Sequence, residues 1–317
     1  MKSPSSPQPC TGGRNKVSQY SDLAMVAAAV AYVVAFILHT AEWVFARGLT
    51  SERAADGSED SKRLNVDVYG RLAVAATVVG WLLNTVGVVL RGVAASRAPW
   101  GNMYEFVTSA IAILGLLYLL SLWRWGTRWL GIGVTFIAAV MLGLAVTVFY
   151  VDVAPLVPAL HSVWFIIHIV AAVIAAAGFN IAAVASALFL VRHSAEARAQ
   201  RRGTELTGYL ARIPSLKKLE TFAHRMTAFS FPIWTFTIVA GSIWAQYAWS
   251  RFWNWDPKET WSFITWVVYA GYLHASLTAG WRGRPAAVLC LIGVATFWFN
   301  FVGVNLLFSG LHSYAGI

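Results

Sequence analysis

Charged residues are scarce in this sequence. Asp, Glu, Lys and Arg together make up 12% of the 317 residues, whereas hydrophobic residues make up 58%. Soluble domains carry about 25% charged residues, and a mean hydropathy of +0.61 agrees with the shortage of charge seen here. The composition therefore excludes an ordinary soluble protein and predicts an integral membrane protein.

Cysteine is almost absent as well. The chain has two, Cys10 in a polar tail and Cys290 within an apolar run, and they form no Cys-x-x-Cys pair. Thiol–disulfide exchange needs paired reactive thiols, and cysteine-ligated metal clusters need several cysteines. The sequence therefore argues against both kinds of chemistry in this chain.

Long apolar runs follow one another along most of the sequence. A helix needs about 18 or more apolar residues to cross a hydrocarbon core of about 30 Å. The first run is too long for a signal-peptide core, so we expect it to remain as a helix. We predict an all-α, polytopic membrane bundle of about eight transmembrane helices. The runs lie near 22–46, 70–90, 103–123, 128–150, 161–191, 226–248, 261–280 and 286–308.

Lysine and arginine are distributed unevenly among the segments that join the predicted helices. Eight crossings put both termini on one side, and if that side is outside, most of the 24 basic residues fall in inner segments. Because cytoplasmic segments carry the basic excess, we predict an N-out, C-out topology in the plasma membrane. The net charge of +10 then reflects topology, and we expect a lipid-facing basic loop and no nucleic-acid partner.

The predicted helices divide the chain into three regions. Residues 1–21 form a polar N-terminal tail, and 22–150 contain the first four transmembrane helices. The remaining four lie in a core region, 151–317, which also holds the basic cytoplasmic loop 192–225 and a tryptophan-rich segment, 244–261. By the predicted topology, the tryptophan-rich segment lies outside the membrane.

The tryptophan-rich segment combines flat aromatic rings with fixed charges. RFWNWDPKETWSFITW occupies 251–266. Tryptophan collects at membrane interfaces, but anchoring requires no such density. Flat rings in a partly dry loop suit a flat, polarizable ligand, while Asp256 and Pro257 are residue types favoured at a helix N-terminus. The pattern predicts an external binding platform built from Trp249, Trp253, Trp255 and Trp261 around Asp256.

Histidines are the remaining candidates for metal ligands. His193 and His224 lie in the basic loop, where solvation is the simpler explanation. An ionisable side chain within the membrane is rare and commonly faces a partner or cofactor. The histidines in or at the edge of the membrane are His39, His161, His168, His274 and His312.

Depth along the predicted helices separates these histidines. His168 lies about 10 Å below the outer mouth of its helix, at 1.5 Å per residue, and His312 follows the last helix at its outer end. Two imidazoles from these positions could ligate one iron above and below a flat macrocycle. His274 lies 13 residues beyond Trp261, about 20 Å inward along its helix, and must serve a different site or none.

Several segments of the sequence resemble one family. GSIWAQYAWSRFWNWDPKETWSFITWVVYAGYLHASLTAGW, at 241–281, resembles the WWD signature of heme-handling cytochrome c biogenesis proteins. LVPALHSVWFIIH, at 156–168, and FVGVNLLFSGLHSYAG, at 301–316, resemble its CcsA (ResC-like) branch, and APWGNMYEF, at 98–106, is similar to a short segment of that branch. The likeness is dense over roughly 155–317 and weak in the first ninety residues.

The resemblance implies a function in system II cytochrome c biogenesis. It implies that His168 and His312 are axial ligands of heme b, bound as a substrate at an external site, and that His274 belongs to a second, deeper heme site. A ResB-like (CcsB or Ccs1) membrane protein would complete the deeper site. With that partner, the chain would be the heme-binding subunit of a cytochrome c synthase that joins heme vinyl groups to the CxxCH thiols of apocytochrome c.

The sequence departs from the family at one part of the platform. Trp249-Ser-Arg251-Phe-Trp253 stands where the family commonly has Trp-Gly-Ser-Tyr-Trp. This change introduces a cation beside the aromatic rings, and we hypothesise that Arg251 pairs with a heme propionate. His161 suits an interfacial contact, and His39 suits either the deeper site or a helix-packing hydrogen bond.

Two other functions fit a polytopic membrane protein. A b-type electron-transfer cytochrome would need paired histidines on facing helices at matched depth, whereas the outer histidines of this chain flank a loop. A small-molecule transporter would tend to show internal repeats and broken helices near the midplane, and no convincing repeat is visible. Bound heme, together with cytochrome c assembly in histidine variants, is the observation that separates these alternatives.

Overall fold

The computed structural model describes residues 16–47, 49, 60–278, 280–308 and 310–311. Within these ranges the protein is helical and has no β-strand. The helices are α1 (Lys16–Phe45), α2 (Asp60–Ala95), α3 (Met103–Trp125), α4 (Gly131–Thr147), α5 (Val163–Arg202), α6 (Tyr209–Arg212), α7 (Leu216–Trp249), α8 (Pro257–Leu277), α9 (Arg284–Trp298) and α10 (Val304–Leu307), with a π-helical turn at Phe299–Gly303 between α9 and α10.

Seven of the described helical segments are long and apolar enough to cross a membrane, which confirms the predicted polytopic all-α bundle. The remaining predicted crossing, 261–280, corresponds to α8, a helix of 21 residues that is not among the seven. Its tryptophan, tyrosine, serine and threonine residues lower its mean hydropathy. At 1.5 Å per residue, α8 is still about 31 Å long, enough to span a hydrocarbon core.

Polar contacts between helix ends show that successive long helices alternate in direction. At one end of the bundle, Tyr150 after α4 donates a hydrogen bond of 2.8 Å to Asp22 in α1. At the opposite end, Arg128 before α4 pairs with Glu42 near the end of α1 at 3.0 Å and with Asp67 near the start of α2 at 3.1 Å. The ends are called here the tryptophan end, which carries 250–256, and the basic end, which carries 203–215.

The direction of α8 follows from the same kind of contact. The hydroxyl of Ser242, late in α7, donates to the carbonyl of Phe252 before α8. The N–H of Gly283, after α8, donates to Glu220 near the start of α7. Helix α8 therefore runs antiparallel to α7 over a comparable distance. The start of α1 and Leu311 both lie at the tryptophan end of the bundle.

Helix α5 is the centre of the bundle. Its apolar middle is mostly buried, whereas the other crossing helices expose much of their apolar surface, as lipid-facing helices do. Alanine and glycine over 171–178 allow neighbouring helices to approach closely; a Cβ added at Gly178 would overlap the hydroxyl of Ser230 on α7. This close α5–α7 pair carries the residues of the candidate site.

The predicted N-terminal tail and the predicted basic loop differ from the helix bounds in the structure. Helix α1 already begins at Lys16, inside the tail expected over 1–21. The basic loop expected over 192–225 is largely helical, because α5 continues to Arg202 and α7 begins at Leu216. Arg192 holds the connection together by donating to the carbonyls of Ile213 and Pro214.

Candidate functional site

The tryptophan-rich connection between α7 and α8 is fixed by its own polar groups. Asp256 is the N-cap of α8, and its Oδ1 accepts from the Lys258 N–H at 3.1 Å. Glu259 completes a capping box, because its Oε2 accepts from the N–H groups of Asn254 at 2.8 Å and Asp256 at 3.1 Å. Such reciprocal bonds satisfy helix-start donors that would otherwise lack partners. The predicted capping role of Asp256 is therefore present.

A cavity opens beside this connection at the tryptophan end. Its volume is about 170 Å³ for water-sized molecules, and the empty space between its walls, including the part open to solvent, is about 1130 Å³. The walls come from the starts of α3, α5 and α8 and from the ends of α7 and α9. Aromatic side chains dominate them, namely Trp100, Phe106, Phe165, Trp234, Trp244, Phe252, Trp253, Phe297 and Phe301.

His168 on α5 is the histidine of this cavity wall. Its Nδ1 lies 2.9 Å from the carbonyl oxygen of Thr237 on α7. A carbonyl can only accept, so Nδ1 carries the hydrogen and the neutral ring keeps its lone pair on Nε2. A backbone hydrogen bond of this kind sets which nitrogen can ligate a metal. In the neutral ring, Nε2 is therefore the nitrogen that can act as a metal ligand.

The orientation of the His168 ring depends on two further residues. Trp244 lies nearly parallel to the ring at 5.9 Å between centroids, with 23° between the planes. Gly241 packs against the ring, and a side chain at this position would collide with it, because an added Cβ would lie 2.7 Å from His168 Nδ1. A glycine at this position therefore leaves the space that the imidazole occupies.

The predicted platform tryptophans divide between the cavity and its rim. Trp253 lines the cavity, and Trp255, which is 63% exposed, meets it edge to face at 5.6 Å. Trp249 packs edge to face on Trp244 at 4.9 Å, and Trp261 packs on Phe299 at 4.2 Å. Trp249, Trp255 and Trp261 do not line the cavity; they support its wall or extend outward from it.

The charges beside the platform have different surroundings. Arg251 lies outside the cavity wall, with Nη1 3.8 Å from Glu259 Oε1. Lys258 lines the cavity, and its ammonium lies 5.7 Å from the centre of the Phe301 ring. Lys258 is therefore the cation placed to meet an anionic group in the cavity.

Among the other histidines in or near the membrane, those that the structure describes do not line the cavity with His168. His274 is on α8, close to the basic end, and its side chain is exposed on the outside of the bundle. His312 lies outside the described residues. His161 is exposed, with Nε2 3.3 Å from the carbonyl of Leu156. His39 is buried and pairs with Glu42 at 3.3 Å, a contact within the helix packing of the basic end.

The Asn-Met-Tyr-Glu motif builds the wall opposite α8. Asn102 caps α3 by accepting from the Glu105 N–H at 2.9 Å, and residues 100–103 line the cavity. The fully buried Glu105 pairs with Arg91 at 3.1 Å and with Arg97 at 2.7 Å. These arginines also donate to carbonyls of the segment before α5, at Val151 and Ala154. One buried carboxylate thus joins α2, α3 and the approach to α5.

Several wall residues were not predicted from the sequence. Trp234 and Trp244 on α7 could have been suspected from the density of aromatic residues. Asn300 and Phe301 face the cavity from the π-helical turn at Phe299–Gly303, and Asn300 Nδ2 donates to the Ser262 hydroxyl at 2.9 Å. Single π turns occur frequently at functional sites. No local sequence pattern predicts the π-helical turn at Phe299–Gly303.

The chain matches a family model described as "Cytochrome C assembly protein" over residues 100–312. It is similar to the protein named "Cytochrome c biogenesis protein CcsA" of Chlamydomonas reinhardtii, with 32% identity over 239 residues that cover 74% of this chain and 65% of that protein. The protein of the same name from Synechococcus elongatus is 31% identical over 263 residues, covering 71% of this chain and 81% of that one. The match thus spans just under two thirds of the algal relative's length.

A solved structure titled "Cytochrome c Heme Lyase CcmF" has a similar fold. The superposition has a TM-score of 0.59 at 14% identity and covers 94% of this chain and 48% of that one. At this identity the likeness concerns the fold alone. This chain spans about half the length of that structure.

Proposed function

Because this chain belongs to the cytochrome c assembly protein family, we propose that its cavity holds heme b as a substrate. The chain is a multi-pass membrane protein of cytochrome c biogenesis, and it would present the heme at the extracytoplasmic face of the plasma membrane. The heme would be passed to apocytochrome c with the help of a ResB-like membrane partner. The chain would then be the heme-binding subunit of a cytochrome c synthase.

The observation that carries this proposal is the geometry of His168. Its Nδ1–H donates to the Thr237 carbonyl, so in the neutral ring Nε2 is the nitrogen that can ligate a metal, and the ring belongs to a cavity wall rich in aromatic side chains. Heme joins an iron that accepts axial imidazoles to a flat apolar ring with two carboxylates at its edge. His168 can ligate the iron, and the rings of Trp244 and Trp253 can pack on the apolar ring. The ammonium of Lys258 can pair with a carboxylate.

The reaction itself relies on chemistry that heme and the apocytochrome supply. In each thioether, a cysteine S–H adds across a vinyl C=C bond: sulfur bonds to one carbon and the hydrogen to the other, so electrons balance. The protein contributes position and ligation. We propose that His168 and His312 hold the heme until the histidine of the CxxCH motif replaces one of them, while Trp249, Trp255 and Trp261 keep the aromatic wall in place.

The exposed position of His274 supports a second site shared with a partner. An imidazole on the outside of a membrane helix is costly to leave against lipid. A ligand of iron at this position would require a further chain to cover it and provide the opposite ligand. We propose that the ResB-like protein does so, and that heme held there precedes heme held at the cavity.

The proposal is tested by the heme content of the purified protein. The chain, with and without a co-expressed ResB-like partner, would be purified, and its reduced heme spectrum recorded for wild type, His168→Ala, His274→Ala and His312→Ala. We expect heme in the wild type and less in each variant. His161→Ala is the matched control, since His161 is exposed at the same end without lining the cavity. Heme absent from every preparation, together with normal cytochrome c assembly in the variants, would refute the proposal.

Arg251 provides a separate prediction about the anionic edge of the heme. Replacing Arg251 by Ala should lower retained heme by about two- to fivefold, the effect of losing one partly exposed charge interaction. Arg251→Lys keeps the charge and should lose less, and Lys258→Met shows the effect of removing the cation that lines the cavity. Unchanged heme occupancy and unchanged cytochrome c maturation in Arg251→Ala would exclude a role for Arg251.

A further inference from the structure

Asp256 is bonded to two parts of the chain that are far apart in sequence. Its Oδ1 caps α8 through the Lys258 N–H, whereas its Oδ2 accepts from the N–H of Leu311 at 2.9 Å. The side chain is buried, with 8% of its surface exposed. Hydrogen bonds to a buried carboxylate are stronger than those between neutral groups. Asp256 therefore ties the end of the described chain to the tryptophan-rich connection.

Gly310 is shaped for the same contact. A Cβ at this position would lie 2.7 Å from Asp256 Oδ2, closer than a side-chain carbon approaches an oxygen without something shifting. The chain around it is packed against the start of α8: a space of only about 10 Å³ remains between Asp256, Lys258, Phe308 and Gly310, room for roughly one water molecule. The contact thus depends on both the carboxylate and the glycine.

The residue that follows Leu311 is His312. Consecutive Cα atoms lie about 3.8 Å apart across a trans peptide bond, so a bond at the Leu311 N–H restrains where residue 312 can begin. We propose that Asp256 is a positioning residue for the second axial ligand, because it fixes the Gly310–Leu311 backbone beside the tryptophan-rich connection. This inference rests on the proposed function, in which His312 ligates the heme iron.

This role differs from contact with the heme itself. Asp256 does not line the cavity, although its neighbours Lys258 and Glu259 do. A carboxylate would also repel the carboxylates of heme. Asp256 instead couples two parts of the chain through its bonds to Lys258 and Leu311. The conformation of the connection that carries Trp253 then depends on the position of Gly310 and Leu311, and the reverse also holds.

Asp256→Asn separates the bond to the Lys258 N–H from the bond to the Leu311 N–H. Asparagine is as good an N-cap as aspartate, so α8 should keep its start. It offers one acceptor oxygen in place of two, and the amide group that faces the Leu311 N–H is then itself a donor. We expect heme retention to fall by at least about tenfold, as for loss of a hydrogen bond to a charged group. Gly310→Ala should give the same phenotype by displacement of the backbone.

The measurement is the reduced spectrum of the purified full chain with its partner, with and without added imidazole. Imidazole should restore the heme of His312→Gly, because it occupies the vacated axial position, and it should likewise restore that of Asp256→Asn and Gly310→Ala. The control variants are Gly143→Ala, where nothing lies within 4 Å of an added Cβ, and Asp67→Asn at the basic end. Both should resemble wild type.

Two results would overturn the inference while leaving the proposed function intact. One is a wild-type spectrum and heme content in both Asp256→Asn and Gly310→Ala. The other is heme loss that imidazole corrects in His312→Gly but not in those two variants, which would mean that they disturb something other than the second ligand. A wild-type protein without heme would instead overturn the proposed function and this inference with it.

Discussion

Replacing His168 by Ala should remove the heme retained at the cavity and abolish cytochrome c maturation. In the proposed site, His168 would ligate the iron through Nε2, because the Thr237 carbonyl fixes the hydrogen on Nδ1. Loss of a residue that merely orients a metal ligand costs 10- to 100-fold in affinity, so loss of the ligand should cost more than about 100-fold. The measurement is heme per protein in preparations matched for amount and stability, together with the assembled cytochrome c in cells.

Two variants distinguish ligation from a general loss of structure. Gly241→Ala adds a Cβ 2.7 Å from His168 Nδ1 without removing the imidazole, so it should lower heme retention by turning the ring. Added imidazole should restore heme in His168→Ala, since the vacated space is next to the cavity. A His168→Ala protein that keeps a wild-type heme spectrum would show that the iron is held elsewhere.

Replacing Glu105 by Gln should destabilise the tryptophan end of the bundle more than any exposed charge change. Glu105 is fully buried and faces both Arg91 and Arg97. Glutamine keeps the size but leaves two guanidinium groups without a counter-charge, and breaking a buried ion pair in this way costs about 3–5 kcal/mol. The melting temperature in detergent should fall by about 6 °C or more, and heme retention should fall with it because residues 100–103 line the cavity.

Glu196→Gln is the matched control for Glu105. Its carboxylate pairs with Arg192 at 2.7 Å, but the Glu196 side chain is 29% exposed, and such pairs contribute about 0–1 kcal/mol. The two variants make the same chemical change in different surroundings. Equal melting temperatures for wild type and Glu105→Gln would show that the buried network does not hold this end of the bundle together.

Much of the fold was predictable because membrane insertion is governed by local composition. The apolar runs predicted eight helices, and the described chain has long helices at all eight positions, seven of which meet a strict hydropathy limit. The position of His168 near the start of α5 was also predictable, because the apolar run that forms this helix begins only a few residues earlier. His161, seven residues before His168, precedes α5 and lies outside the cavity wall.

The contacts around the tryptophans were less accessible to sequence reasoning. The connection at 250–256 has no period, and both Ser250 and Trp255 have positive φ angles that no propensity would favour. The direction in which each ring points therefore follows from the bonds of Glu259 and Asp256 to the backbone. This explains why Trp253 lines the cavity, whereas Trp255 extends outward.

The sequence by itself determined that this is a helical membrane protein and which segments carry its aromatic rings, charges and histidines. These properties follow from the transfer of each segment between water and lipid, which depends on the residues of that segment alone. Only the tertiary structure decided that His168 bonds to Thr237, that Glu105 joins two arginines to the segment before α5, and that Asp256 holds Leu311. Each of these contacts joins residues remote in sequence, and their partners are selected by helix packing, which no single segment specifies.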